Sequence, residues 1–139
     1  MKMQESKHLR LQQQVDCFLE ADAKSELAHF LPTKAPVDEH EDPLKFLALV
    51  LIHAMEERAE MIIFEPRRPI AIIVDGSRVE LPAIQEDVMR HSMELICRIA
   101  GLEGKITRSP LALGIRGDSL EFQIEKKGDA VHILMPRLG

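Results

Sequence analysis

The chain has 139 residues, 45% of them apolar and 29% charged, with no tryptophan or tyrosine and five phenylalanines. That composition suits one soluble domain with a helical appendage, large enough to bury a core without disulfide or metal. A formal net charge of −5 argues against nonspecific binding to a phosphate backbone, and the lack of aromatic platforms argues against stacking on single-stranded bases, so no nucleic-acid partner is expected.

From about Gln4 to Leu31 the pattern is helical, with Leu11, Val15, Phe18 and Leu19 on one stripe that Leu27 and Phe30 resume. Such a stripe needs cover from its own domain, a second copy or a partner. Pro32, Pro36 and the run VDEHED then form an acidic, solvated linker. Residues 1 to 42 hold five Lys/Arg against nine Asp/Glu, whereas residues 43 to 139 hold 13 against 14, so the acidity sits in the front segment. Asp42-Pro43 opens a helix whose buried face is Leu44, Leu47, Ala48, Leu51 and Met55, running to about Arg58.

Met61 to Glu65 is a short, continuously apolar strand, the pattern of burial on both faces. Pro66 and Pro69 bracket Arg67-Arg68 in a turn; Ile70 to Val74 follows as a strand, and Asp75-Gly76 is a hairpin signal that returns the chain through Arg78 to Leu81. Pro82 opens a further helix through Val88, Leu95, Ile96 and Ile99, closed at Gly101. Leu111–Arg116, Leu120–Glu125 and Ala130–Met135 read as three strands, the last two strictly alternating. The expected fold is α+β, a largely antiparallel sheet packed by helices. The expected organisation is an N-terminal amphipathic helix (residues 1–31), a Pro-containing acidic linker (32–42) and an α+β domain (43–139).

Candidate chemistry is sparse. The six histidines form no metal-ligand spacing, and the serines at 77, 92, 109 and 119 stand in no nucleophile-elbow motif. No catalytic residue, metal ligand or cofactor is therefore expected. Arg67, Arg68 and Arg78 could form a small basic patch on a turn stiffened by proline, a candidate for an anionic ligand; the plainer reading is a charged hairpin tip that blunts a sheet edge. Cys17 and Cys97 are far apart and in no CxxC pair, as in a reducing cytosol. No apolar run reaches ~18 residues and the start MKMQESKHLR is polar, so a cytoplasmic protein without membrane insertion is expected.

The segment AMEERAEMIIFEPRRPIAIIVDG, residues 54 to 76, resembles part of the domain that precedes the motor in type II secretion and type IV pilus assembly ATPases. There a helix leads into Ala-Ser-Asp-Ile-His-Ile-Glu-Pro and a later strand ends in Arg-x-Arg-x-Asp-Gly. Ala59, Ile62, Phe64, Glu65 and Pro66 keep the first motif's character, and Asp75-Gly76 keep the end of the second. Met61 and Ile63 stand in place of the polar Asp and His, and Ala71 and Ile73 in place of the two arginines. Arg98-Ile99 and Ala100-Gly101-Leu102 resemble the close of the family's next helix. The resemblance covers about residues 43 to 137 and implies a PAS-like fold.

In that family the strand arginines help close the motor's nucleotide site, partly across subunits, a task suited to a forked, permanently charged guanidinium. Here all four positions have become apolar, which implies core filling or an apolar docking face. The motor's G-x-x-x-x-G-K-[ST] is absent from the chain. Two functions are carried forward. The first is a noncatalytic interaction or regulatory module whose partner is a protein, a secretion or pilus ATPase component or a second copy, held through the stripe of Leu11, Val15, Phe18, Leu19, Leu27 and Phe30. The second is a sensor of a small ligand or nucleotide, held by Arg67, Arg68 and Arg78.

Overall fold

Helix α3 (Asp42–Glu56) is buried around almost its whole surface, and the rest of the chain is arranged to cover it. The computed structural model describes residues 7–32 and 42–136. Within α3, Leu44, Phe46, Leu47, Leu49, Val50, Leu51 and Ile52 are all buried, so the interior extends well beyond the single face expected from helical periodicity. The helix is closed off two residues past its end by Arg58, whose φ of 57° is the left-handed conformation usually given to glycine. Arg58 N–H donates to the Met55 carbonyl (3.1 Å) and Ala59 N–H to that of Ala54 (2.9 Å), satisfying carbonyls the helix would otherwise leave open.

The single helix expected over residues 4–31 is broken in two. Helix α1 (Lys7–Phe18) and helix α2 (Ala23–Leu27) are followed by a 3₁₀ turn (Ala28–Phe30). The break has a local cause: the Asp22 carboxylate accepts from Ser25 N–H (3.3 Å) and from the Ser25 hydroxyl (2.8 Å), which restarts the helix. Those hydrogen bonds also hold the Asp22 carboxyl below its ordinary range. The segment 33–41, which contains most of the expected acidic linker, lies outside the described residues.

The six strands are β1 (Met61–Phe64), β2 (Ala71–Val74), β3 (Ser77–Glu80), β4 (Arg108–Ile115), β5 (Asp118–Lys127) and β6 (Ala130–Leu134). They form one antiparallel sheet in the order β3-β2-β1-β6-β5-β4. Helix α4 (Glu86–Ala100) crosses between β3 and β4. The fold is thus α+β, a largely antiparallel sheet packed by helices, with α4 interposed between the first three strands and the closing meander. At Asp75-Gly76 both residues have positive φ (51° and 78°), as a two-residue hairpin turn between twisted strands requires.

Helix α4 begins four residues later than Pro82 suggests. Residues 81–85 stay extended because their amides are used elsewhere: Leu81 N–H donates to Ile70 O (2.8 Å) and Gln85 N–H to Phe30 O (2.8 Å). The second bond ties the N-terminal segment to the entry of α4. At the other end of α1, the Gln12 amide clips onto edge strand β4, donating to Gly114 O (2.7 Å) and accepting from Gly114 N–H (2.7 Å). His8 Nε2 donates to Ala112 O (2.6 Å) two residues along the same edge. Helix α1 therefore satisfies backbone groups that a bare edge strand would leave for another chain.

The apolar stripe of the N-terminal segment is consequently not a free interaction surface. Leu11 and Val15 are 0% exposed and Phe30 1%, and Phe18, Leu19 and Leu27 pack half-buried against the same core. The Phe30 ring meets Phe46 of α3 edge-on, with centroids 5.1 Å apart. Truncation of Leu11 to alanine should therefore lower stability by about 2–5 kcal/mol, read as a fall in the urea midpoint of the full chain. An unchanged midpoint would mean that α1 lies outside the cooperative core.

Candidate functional site

Strands place alternate residues on opposite faces, and this sheet uses only one face for its core. Ile62, Phe64, Ile72, Phe122, Ile124, Val131 and Ile133 point toward the helices and join the core cluster. Met61, Ile63, Ile73 and Leu134 have the opposite parity, are half-buried and do not join it, while Ala71 shares their parity but is 0% exposed. Strand β1 was expected to be buried on both faces; it is buried at Ile62 and Phe64 and half-buried at Met61 and Ile63. The continuous apolar run concealed which face the helices take.

The outer residues are not scattered. Met61 lies directly opposite Ile73 and Ile63 opposite Ala71; across the other side of β1, Met61 lies opposite Leu134. They form one apolar patch at the centre of the outer sheet face. Met61 and Leu134 also line a cleft of about 1050 Å³ at the end of the sheet, together with Leu19, Met55 and Leu120. The patch therefore continues around the sheet's end to one residue of the N-terminal segment.

Ion pairs fence the patch. Arg78, opposite Ile73, donates to the Glu65 carboxylate at 3.0 Å and lies 3.9 Å from that of Glu80. On the other flank Arg108 pairs with the cross-strand Glu125 at 3.2 Å. His132, between Ile63 and Glu125 in register, has its Nδ1 shielded from solvent without a hydrogen-bond partner among the described residues.

The three arginines of the expected anion site do not converge. Arg78 is engaged with Glu65 on the outer face, and Arg68 acts on the same carboxylate from the adjoining turn. Arg67 instead lines a groove of about 560 Å³ on the helix side, between α4 and the β5–β6 hairpin, with Met89, Met93 and Val131. It sits there with a φ of 62°, at the turn position after Pro66 that favours glycine or asparagine. In the same groove, burial pushes the half-buried Cys97 thiol up from its ordinary value, so it is not poised as a nucleophile. Among the described residues no group of three His, Cys, Asp or Glu side chains could hold a metal ion, and no helix is long and apolar enough to cross a membrane.

Sequence reasoning identified Met61, Ile63, Ala71 and Ile73 as changed positions. It missed Leu134, whose alternation with Ile133 was the available signal.

No protein-family model matches the chain, and no curated protein is similar to it in sequence. Among solved structures, the crystal structure of the pilus retraction motor PilT with bound ADP is similar over 65% of this chain, at 16% identity and a TM-score of 0.40. The match takes in 28% of the PilT chain, so the protein spans little more than a quarter of that motor's length.

The Arg78 hydrogen bond holds the Glu65 carboxyl below the usual carboxylate range, helped by the charges of Arg68 and His132 and opposed by partial desolvation. A lowered folded pKa means that the stabilisation is complete above the unfolded-state value and is lost as pH falls through the folded one. Arg78→Ala should raise the Glu65 pKa in an NMR titration of its carboxyl carbon and remove that part of the acid sensitivity. An unmoved titration would mean the pair does not persist in solution.

Proposed function

We propose that this chain is a noncatalytic interaction module that presents the outer sheet face to a protein. Its partner on this reading is a motor component of a secretion or pilus ATPase, engaged through an apolar contact. The observation that carries the reading is the coincidence of two sets of residues. Of Met61, Ile63, Ala71 and Ile73, the positions that are polar in the resembling family, Met61, Ile63 and Ile73 stand half-buried on the outer side of β1 and β2, and the small Ala71 is buried between Ile63 and Glu80 in register.

Physically, the exchange replaces charge-assisted contacts to phosphate with dispersion and burial. A face that meets a nucleotide site in the family is here fitted to meet apolar protein surface. The fence of ion pairs supplies a polar rim around an apolar centre, the usual anatomy of a protein contact. The absence of a phosphate-binding loop from the sequence supports the noncatalytic part of the reading.

The sensor alternative has less support, because its three arginines are split between two sides of the sheet and one is already paired.

Ile63→Glu and Ile73→Arg place charges in the centre of the patch without touching the core. In biolayer interferometry of the full chain against a purified pilus or secretion motor, each should weaken binding by about tenfold or more, as for central interface residues. Equal binding by the variants, with their circular dichroism unchanged, would remove the outer face from the interaction.

A further inference from the structure

Helix α4 carries a second surface with a repeating charge pattern. Glu86, Arg90, Glu94 and Arg98 are all exposed and recur every four residues, so they form one stripe with signs − + − +. Beside it runs an apolar seam of Met89, Met93 and Cys97 at the same spacing, buried at Met89 and half-buried at the other two. The seam is the floor of the groove of about 560 Å³ that α4 shares with the β5–β6 hairpin.

The charges have little to do within the chain. Among the described residues, Arg90 pairs with Asp87 one turn before it (3.0 Å), an exposed contact of small value. Glu86, Glu94 and Arg98 make no ion pair among the described residues. The groove as a whole carries four basic and four acidic side chains, so it presents no net field to draw in an ionic small ligand.

The same alternation fits a second copy of the helix. If two α4 helices pack antiparallel across a two-fold axis, Glu86 meets Arg98 of the copy and Arg90 meets Glu94, and symmetry repeats both pairs. That register sets the axis level with residue 92, so Met93 packs beside its counterpart with a stagger of about 3 Å, and Met89 beside Cys97 with the same stagger. A parallel two-fold arrangement would carry the two stripes to opposite flanks of the seam, where they do not meet. Methionine side chains adapt to such a seam without a preformed shape.

From this we infer that the chain self-associates through α4, as an antiparallel pair held by the Met89–Met93–Cys97 seam and flanked by four ion pairs. The inference deepens the interaction reading by naming one partner as a second copy. It uses none of the outer-face residues, so the two can fail separately.

The test is sedimentation equilibrium of the full chain at roughly 100 μM, where a pair with a micromolar dissociation constant is mostly associated. The wild type should be a dimer. R90E sets a carboxylate against Glu94 twice across the axis, and E94R sets two guanidinium groups against Arg90. Each should raise the dissociation constant about tenfold or more. The double swap R90E/E94R recreates both pairs with their signs exchanged and should recover most of the association, while I73R should leave it unchanged. A monomeric wild type would overturn the inference. So would a dimer indifferent to R90E, a swap that fails to recover association, or a dimer lost on I73R, which would move self-association to the sheet.

Discussion

A helix carrying large apolar residues around its whole circumference must be enclosed, and the requirement to enclose α3 organises this molecule. Each large apolar residue left in water would forfeit roughly 1.5–3 kcal/mol, and α3 has such residues around its whole circumference. One sheet face, α4 and the α1–α2 segment together close the shell. The N-terminal segment is therefore part of the core rather than an arm attached to it. The hydrogen bond from Gln85 to Phe30 and the Gln12 clip on Gly114 hold that cover in place at both ends.

The same requirement leaves the outer side of the sheet free. All the helices are committed to one face, so the larger residues of opposite parity on β1, β2 and β6 (Met61, Ile63, Ile73 and Leu134) fall outside the shell. Polar residues there would be unremarkable; in this chain the central positions are apolar, and charged pairs stand only at the margins. The outer patch and the α4 seam lie on different sides of the domain, since one belongs to the sheet face that the helices leave bare and the other to the helix layer. A module with two such surfaces can join a partner and a copy of itself at once.

Much of the framework was legible in the sequence. Asp75-Gly76 marked its hairpin because only residues tolerant of positive φ suit that turn, and Gly101 ended α4 for the same reason. The alternation of β5 and β6 named their buried faces. What was not legible were the effects of distant partners. Nothing near Pro82 announces that Phe30 will take the Gln85 amide and delay the helix. The stripe from Leu11 to Phe30 showed that something must cover it, but only the all-round apolar character of Phe46, Leu49, Val50 and Ile52 hinted that α3 would be the cover. In β1, where every residue is apolar, no pattern could say which parity faces in, so the candidate site was half-read: its residues were found and their exposure was not. The grouping of Arg67 with Arg78 failed because neighbours in a turn can leave a sheet on opposite sides.

The claim most open to direct test is that neighbouring isoleucines of β2 belong to different environments. Isoleucine to threonine keeps the β-branched shape while removing apolar surface and adding a hydroxyl. In urea unfolding of the two single variants, Ile72→Thr should cost about 2 kcal/mol or more, because its hydroxyl enters the core. Ile73→Thr should cost less than about 1 kcal/mol, because its side chain stands on the outer face. Equal losses at the two positions, or a larger one at Ile73, would contradict the account and place the patch inside a core.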